Sequence, residues 1–305
     1  MLRHTFLLAR GVGSRTERWL WQRGIRDWHE LDAALRLPGM GPTLARRLGE
    51  GVGAAREALA AGDAGWFHRR LPAREGWRLY GEFRGSARFL DIETDGIGMW
   101  KDGVTVIGIS DGRTGRAYVA GRDLERFEEA LEGAALLVTF NGKAFDVPFI
   151  RRRFPWARLP AAHIDLLHVF RSLGLRGGLK AIERATGLSR GPLDGVDGAW
   201  AVALWERHLA GDPRALGALV RYNLEDAVNL RYLMDWAYNA CLRRCGGPGA
   251  ELPVEAPPAL PIDRESLALL REMAAAGLIP SRRSAADAAW HPGPAGDPPP
   301  PPTGG

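Results

Sequence analysis

In the stretch FLDIETDGIG, Phe89–Gly98, two carboxylates stand two residues apart inside an apolar run. Side chains two apart on a strand project to the same face, so Asp91 and Glu93 point together. Carboxylates this close repel each other, and a shared proton, an arginine or a divalent cation with hard oxygen ligands would offset the repulsion. Acid-x-acid at a strand end is also common as a solvated edge, so the pair gains meaning only beside other acids at special places. Asp146 is one. In LLVTFNGKAFDVPFI an apolar strand stops at Asn141-Gly142 and a helix begins near Ala144. The carboxylate therefore sits just past a strand end, where ligands gather in open sheets, although it would equally favour the helix dipole. Asp226 is another: in RYNLEDAVNLRYL it follows Tyr222 by one helical turn, so phenol and carboxylate share a helix face. As structure alone, Tyr222 reads as a core aromatic with a satisfied hydroxyl.

The elements that must hold these residues fall into three regions. Residues 1–75 are helical and arginine-rich, punctuated by two glycine turns that each lead into a short amphipathic helix, GVGSRTERWLWQRGI and PGMGPTLARRLGEGV. From Trp77 to Ala240 the alternation in RLYGEFRG, ARFLDIET, VTVIGISDG and GRAYVAG predicts strands. LERFEEALEG is helical, ALLVTFNG a strand, AFDVPFIRRRF a helix and HIDLLHVF a strand running into a helix, with mainly helical pattern beyond Gly178. Strands first, then strand and helix alternating, predict an α/β fold with a mixed sheet flanked by helices. Residues 241–305 begin with a linker, GGPGAELPVEAPPALP, continue with one amphipathic helix, IDRESLALLREMAAAGLI, and end in a Pro-rich tract expected to be disordered.

Composition bounds the function class. At 305 residues, 46% apolar and 25% charged, the chain is long enough for one substantial core and a smaller unit. The formal charge of +5 comes from 41 basic residues, of which only Lys101, Lys143 and Lys180 are lysine. Guanidinium forks suit phosphate oxygens, though heavy Arg, Ala, Gly and Pro usage also follows from genomic base composition. Cys241 and Cys245 form neither a disulfide framework nor a zinc site and fit a reducing cytoplasm. FLLA is too short for the apolar core of an export signal, and no run is long enough to span a bilayer, so a cytoplasmic location without membrane partners is expected.

The segments DIET at 91–94, FNGKAFDVPFI at 140–150, HIDLLH at 163–168, GLKAIERATGL at 178–188 and YNLEDAVNL at 222–230 follow one another in a specific order. In them the chain resembles the ribonuclease-H-like DEDD (DnaQ-like) exonucleases, and within these the YprB-type proteins, over residues 77–240. The resemblance implies metal-assisted phosphodiester hydrolysis, 3′–5′ and on single-stranded DNA or RNA ends. Asp91, Glu93, Asp146 and Asp226 would hold two Mg²⁺ or Mn²⁺ ions, one activating water and one stabilising the leaving oxygen. Asp91 would bridge both ions, Glu93 and Asp226 would complete the water-activating site, and Asp146 would act through ordered water. Tyr222 would align the attacking water; with a free pKa of about 10 a phenol is a poor base at neutral pH, so the metal must supply most of the activation.

Further residues carry softer expectations. Asn141 could orient nucleic acid or simply brace an Asn-Gly turn; Lys143 could meet phosphate or only solvent. Arg151 and Arg152, with Arg153, could track a backbone or face water. Trp100 could stack on a terminal base or close a hairpin. Asp165 is a supporting acid; His163 and His168 suit hydrogen bonding better than Mg²⁺, which prefers oxygen. Gly11/Gly13 and Gly39/Gly41 free backbone N–H groups at helix starts and resemble helix-hairpin-helix modules that grip phosphates; plain helix caps give the same letters. The rival readings are a non-catalytic nucleic-acid-binding protein that retains the fold, and a structural core whose C-terminal helix recruits a protein partner.

Overall fold

The computed structural model describes residues 1–34, 40–96, 103–190 and 198–276. Four helices open the chain: α1 (Ser14–Gln22), α2 (Trp28–Ala34), α3 (Pro42–Ala60) and α4 (Ala64–Arg70). A 3₁₀ helix, Ala73–Leu79, and the short α5 (Tyr80–Phe83) lead to β1 (Ala87–Thr94), β2 (Val104–Ser110) and β3 (Gly115–Val119). After a 3₁₀ helix at Leu124–Leu131 come β4 (Leu136–Thr139), α6 (Asp146–Arg153), β5 (Ala162–Asp165), α7 (Leu166–Ser172) and α8 (Leu179–Ala185). The remaining elements are α9 (Gly198–Leu209), α10 (Pro213–Cys245) and α11 (Arg264–Ala275).

The strands form one sheet in the order β3-β2-β1-β4-β5, with β1, β2 and β3 antiparallel and β4 and β5 parallel to β1. This is the expected mixed sheet. Both faces are covered, so the strands are apolar on both sides rather than cleanly alternating. Leu90 and Ile92 join Ile107, Phe127, Phe149 and Phe154 on the face under α6, while Ala87 and Phe89 join the core under α10. Asp91 and Glu93 continue the row of Phe89 and so face α10. β4 pairs with β1 only at residues 87–89, which leaves the carboxyl half of β1 open on that side. The carboxyl end of β1 thus lies between its antiparallel and parallel neighbours, the switch-point position at which α/β sheets bind ligands.

The helix α10 spans 33 residues, about 50 Å at 1.5 Å per residue. It starts at Asp212, whose side chain accepts the Arg214 N–H at 3.0 Å, with Pro213 at the first helical position. Its buried face carries Asn223, Asp226, Asn229, Asp235 and Asn239 among Leu, Ala, Val and Met; each of these side chains bonds to another segment or a neighbour, while the Asn223 Oδ1 is buried without a partner. Asp235 accepts from Tyr80 Oη at 2.7 Å and from Arg84 at 2.7 and 3.0 Å. At Gly108 on β2, paired with Asp91, a Cβ would lie 2.3 Å from Asn223 Oδ1, so only glycine lets α10 approach the sheet there.

The first nine residues run through the N-terminal helices, held by Trp21 Nε1 donating to the His4 carbonyl at 2.9 Å and Trp28 Nε1 donating to that of Thr5 at 2.8 Å. The Met1 ammonium donates to Tyr238 Oη at 3.1 Å, and one apolar core runs from Met1 to Leu242.

Three expectations change. RLYGEFRG is helical, not a strand: Trp77, Tyr80 and Phe83 are buried at a spacing of three, which stacks them on one side of a 3₁₀ turn. Residues 246–261, expected as a linker, lie along α10: Asn239 exchanges hydrogen bonds of 2.7 Å with both backbone groups of Leu252, and Arg84 and Arg221 donate to the Pro253 and Leu260 carbonyls. Third, the C-terminal helix, which one rival reading made the surface that recruits a partner, turns Leu269, Leu270 and Met273 into the core beside Leu219 and Tyr222. Arg214–Glu272, at 3.1 Å, and Ser266 Oγ donating to the Arg214 carbonyl at 3.0 Å pin it to α10, so its apolar face is spent within the chain. Trp100, Gly39 and the Pro-rich tail lie outside the described residues.

Candidate active site

β1 and α10 bring together three of the expected acids. Asp91, Glu93 and Asp226 each offer a carboxylate oxygen, and these oxygens lie within 4.8 Å of one another. Asp146 joins from the first turn of α6: its Oδ1 accepts the Ile92 N–H at 3.1 Å, a group freed by the divergence of β4 from β1. Tyr222, buried one turn before Asp226, faces the same corner.

The charges are strongly unbalanced. Burial, then Asp226 and Glu93, raise the Asp91 carboxyl well above the usual carboxylate range. Burial and Asp226 do the same to Glu93, and burial brings Asp146 to about 7. Asp226 differs: burial pushes it up, but Lys180 and Arg190 hold it below the ordinary value. Burial, with Asp226 and Glu93 nearby, lifts the Tyr222 phenol well above 10, so at neutral pH it is a hydrogen-bonding hydroxyl and not a base.

Sequence reasoning missed three of the residues that organise this corner. Asn223 Nδ2 donates to Asp91 Oδ2 at 2.9 Å and to the Asp91 carbonyl at 3.2 Å, fixing the carboxylate against α10. Lys180 Nζ contacts Asp226 and lies 4.6 Å from the Tyr222 ring centroid. Arg190 also contacts Asp226, while its guanidinium is anchored on Glu183 through two bonds of 2.6 Å, and Asn229 donates to Glu183 Oε1 at 2.9 Å. One signal was available: Lys180 is one of three lysines in a chain that otherwise uses arginine.

Asp165 serves the site through backbone. Its carboxylate accepts from the N–H groups of Asn141 at 2.8 Å, Lys143 at 3.0 Å and Leu167 at 3.1 Å, tying the β4–α6 loop to the start of α7. Asn141, at φ 65°, occupies the left-handed region that the tie imposes. Asp165→Ala is expected to cost about 1 kcal/mol by leaving three part-buried N–H groups unmatched, and Asp165→Asn less, because one acceptor oxygen remains; thermal denaturation of both variants checks the order. Lys143 lines a cavity of about 350 Å³ with His68, His163 and His168, apart from the acid trio. Arg151 and Arg152 are exposed on α6, and Gly13 and Gly41 are the N-caps of α1 and α3, away from the sheet.

The donor set fits a hard divalent cation: three carboxylates, no sulfur, and raised protonation that such an ion would displace. A consequence follows for stability. Where a folded carboxyl titrates above its unfolded value, the native state binds protons that the unfolded state has lost, so raising the pH destabilises the fold. Without metal, stability is expected to fall between about pH 4 and pH 8, by on the order of 4 kcal/mol from Asp146 alone. Asp226, with its lowered value, acts in the opposite sense but is one group against three. Mg²⁺ or Mn²⁺ should flatten the profile; unfolding curves across this range with EDTA and with each ion test it.

A family model described as the RNase_H superfamily matches residues 88–238. Searches of curated proteins and of solved structures gave no match. The matched span starts one residue inside β1 and ends in α10, enclosing the whole sheet, Asp91, Glu93, Asp146, Asp226 and Tyr222. Residues 88–238 are therefore similar to the RNase H superfamily and, with their mixed sheet flanked by helices, form a ribonuclease-H-like domain.

Proposed function

We propose that the protein is a metal-dependent nuclease of the DEDD type, tyrosine branch, related to the YprB-type proteins, hydrolysing phosphodiester bonds from the 3′ end of single-stranded DNA or RNA. The observation that carries this is the convergence of Asp91, Glu93 and Asp226 within 4.8 Å, with Asp146 beside β1 and Tyr222 one turn from Asp226. Bound divalent cations, two in this reading, would acidify a water and neutralise charge on the phosphate. Asp91, Glu93 and Asp226 would hold them, and Asp146 would support the second through water. Tyr222, kept protonated, would hydrogen-bond the attacking water and set its line of approach. Asn223 would keep Asp91 in its rotamer, and Lys180, over the Tyr222 ring, would balance the excess negative charge as substrate enters. Residues 1–75 would bind nucleic acid ahead of a catalytic domain at 77–240.

One observation favours a second reading, a non-catalytic nucleic-acid-binding protein: Lys180 and Arg190 already neutralise Asp226. Incubating the protein with 3′- and 5′-labelled single-stranded DNA and RNA, with Mn²⁺, with Mg²⁺ and with EDTA, decides between them. Metal-dependent laddering from one end is expected. Binding without cleavage of any substrate would establish the second reading.

A further inference from the structure

Away from the acids, the loop at residues 8–11, α3 and α4 enclose a cavity of about 320 Å³. Arg10, Arg46, Arg47 and Arg70 line it, with Trp66 and a single carboxylate, Glu50. Glu50 is taken by Arg46 at 3.1 Å. Among the described residues, Arg10, Arg47 and Arg70 have no carboxylate partner, so the pocket carries an excess of three positive charges.

One of these guanidinium groups is braced by an aromatic ring, and a second passes close to a glycine. Arg70 lies flat over the Trp66 indole at 3.9 Å, and that ring is itself wedged edge-on against Phe67 at 4.9 Å. Arg47 uses the space beside Gly11, where φ is +76° and a Cβ would stand 2.9 Å from its Nη1. A side chain at position 11 would displace Arg47. Like charges gathered without counter-charges cost free energy unless an anion joins them, and pre-placed forks lose little entropy on binding one. The volume is near the lower end for small-molecule sites, and the lining is guanidinium where such sites are mainly apolar, so a phosphate-bearing chain fits better than a compact apolar ligand.

We infer that this arginine pocket binds the phosphodiester backbone of a single nucleic-acid strand, with Arg47 and Arg70 each on a phosphate oxygen. The ligand class rests on the nuclease reading above; the charge and geometry of the pocket do not. The contact is made by guanidinium groups on α3 and α4 and not by the N–H groups of the glycine turns.

The test is fluorescence anisotropy of labelled single-stranded oligonucleotides over a range of potassium chloride concentrations, in EDTA so that no cleavage intervenes. Both arginines are exposed, and Arg47→Gln/Arg70→Gln is compared with Arg47→Lys/Arg70→Lys. The glutamine pair is expected to weaken binding by roughly tenfold per lost guanidinium and to make the log–log salt slope shallower by about 1.4, two contacts at about 0.7 each. The lysine pair is expected to keep the slope. Unchanged affinity and slope in a glutamine pair that melts like the wild type would overturn the proposal. So would loss of pyrophosphate binding alone with oligonucleotide binding intact, which marks a small-anion pocket. Hydrolysis of the p-nitrophenyl ester of thymidine 5′-monophosphate, too small to span both sites, separates the two readings. No cleavage of this ester or of any labelled strand by the wild type with Mn²⁺ or Mg²⁺, together with the expected salt slopes, removes the nuclease reading and upholds the pocket.

Discussion

Asp91→Asn is expected to lower metal-dependent phosphodiester hydrolysis by about a thousandfold or more, the equivalent of about 4 kcal/mol of transition-state stabilisation, while leaving the metal-free protein at least as stable as the wild type. The two halves of this expectation come from one arrangement. Asp91 lies within reach of both Glu93 and Asp226, so it would share any cation held there with them. Its charge is also poorly tolerated by the fold, through burial and through both of those neighbours. Asparagine keeps the shape, lets Asn223 retain an oxygen to donate to, and removes the charge. Calorimetric titration with Mn²⁺ should therefore show weakened binding in a protein whose melting temperature in EDTA is unchanged or higher. A variant that melts far below the wild type in EDTA would mean that Asp91 is structural, and a variant that cleaves at the wild-type rate would remove it from the chemistry.

The second large effect is on stability. Arg78 is 2% exposed and holds Glu17, 1% exposed, at 3.1 Å and Glu75 at 2.8 Å. Glu17 also accepts from Thr5 Oγ1 at 2.6 Å and from the Phe6 N–H at 2.8 Å, so it organises the first turn of chain that threads the N-terminal helices. Arg78→Ala leaves a buried carboxylate without its cation and is expected to cost about 3–5 kcal/mol, or about 10 °C in Tm. Burial already pushes the Glu17 carboxyl up, and losing Arg78 should push it further, so the deficit should grow as the pH rises through the Glu17 titration. The pair Glu17→Gln/Arg78→Met should recover most of the loss, because no fully buried ion is then stranded and Glu75, 16% exposed, can be solvated. Equal melting of the single and double variants would assign the cost to lost packing instead of charge.

The parts of the site written in local periods were legible. Asp91 and Glu93 share a strand face by the period of two, Tyr222 and Asp226 share a helix face by one turn, and Asp146 follows the sharp end of an apolar run. The residues that organise them could not be read that way. Arg190 reaches Asp226 from beyond the end of α8, and Asn223 meets Asp91 across 132 residues; neither carries a local pattern, because partner and spacing exist only after the helix docks. RLYGEFRG misled because its apolar residues suit both a period of two and a period of three, and the packing against Tyr238 and Phe89 selected the helical one. The C-terminal helix was legible as amphipathic, but amphipathicity names a buried face without naming what buries it.

Gly108 adds a last consequence. A methyl group there would collide with the Asn223 side chain, which holds Asp91, and press on the α10 backbone at the Asn223 carbonyl. Tyr222 and Asp226 ride on the same rigid rod, so a displacement at one point would open the whole carboxylate corner at once. The tolerance of the corner to mutation is thus set in part by a position that supplies it with no atom. A search for functional residues confined to acids, bases and nucleophiles would pass over it, and a variant library would register it as an intolerant site in an ordinary strand.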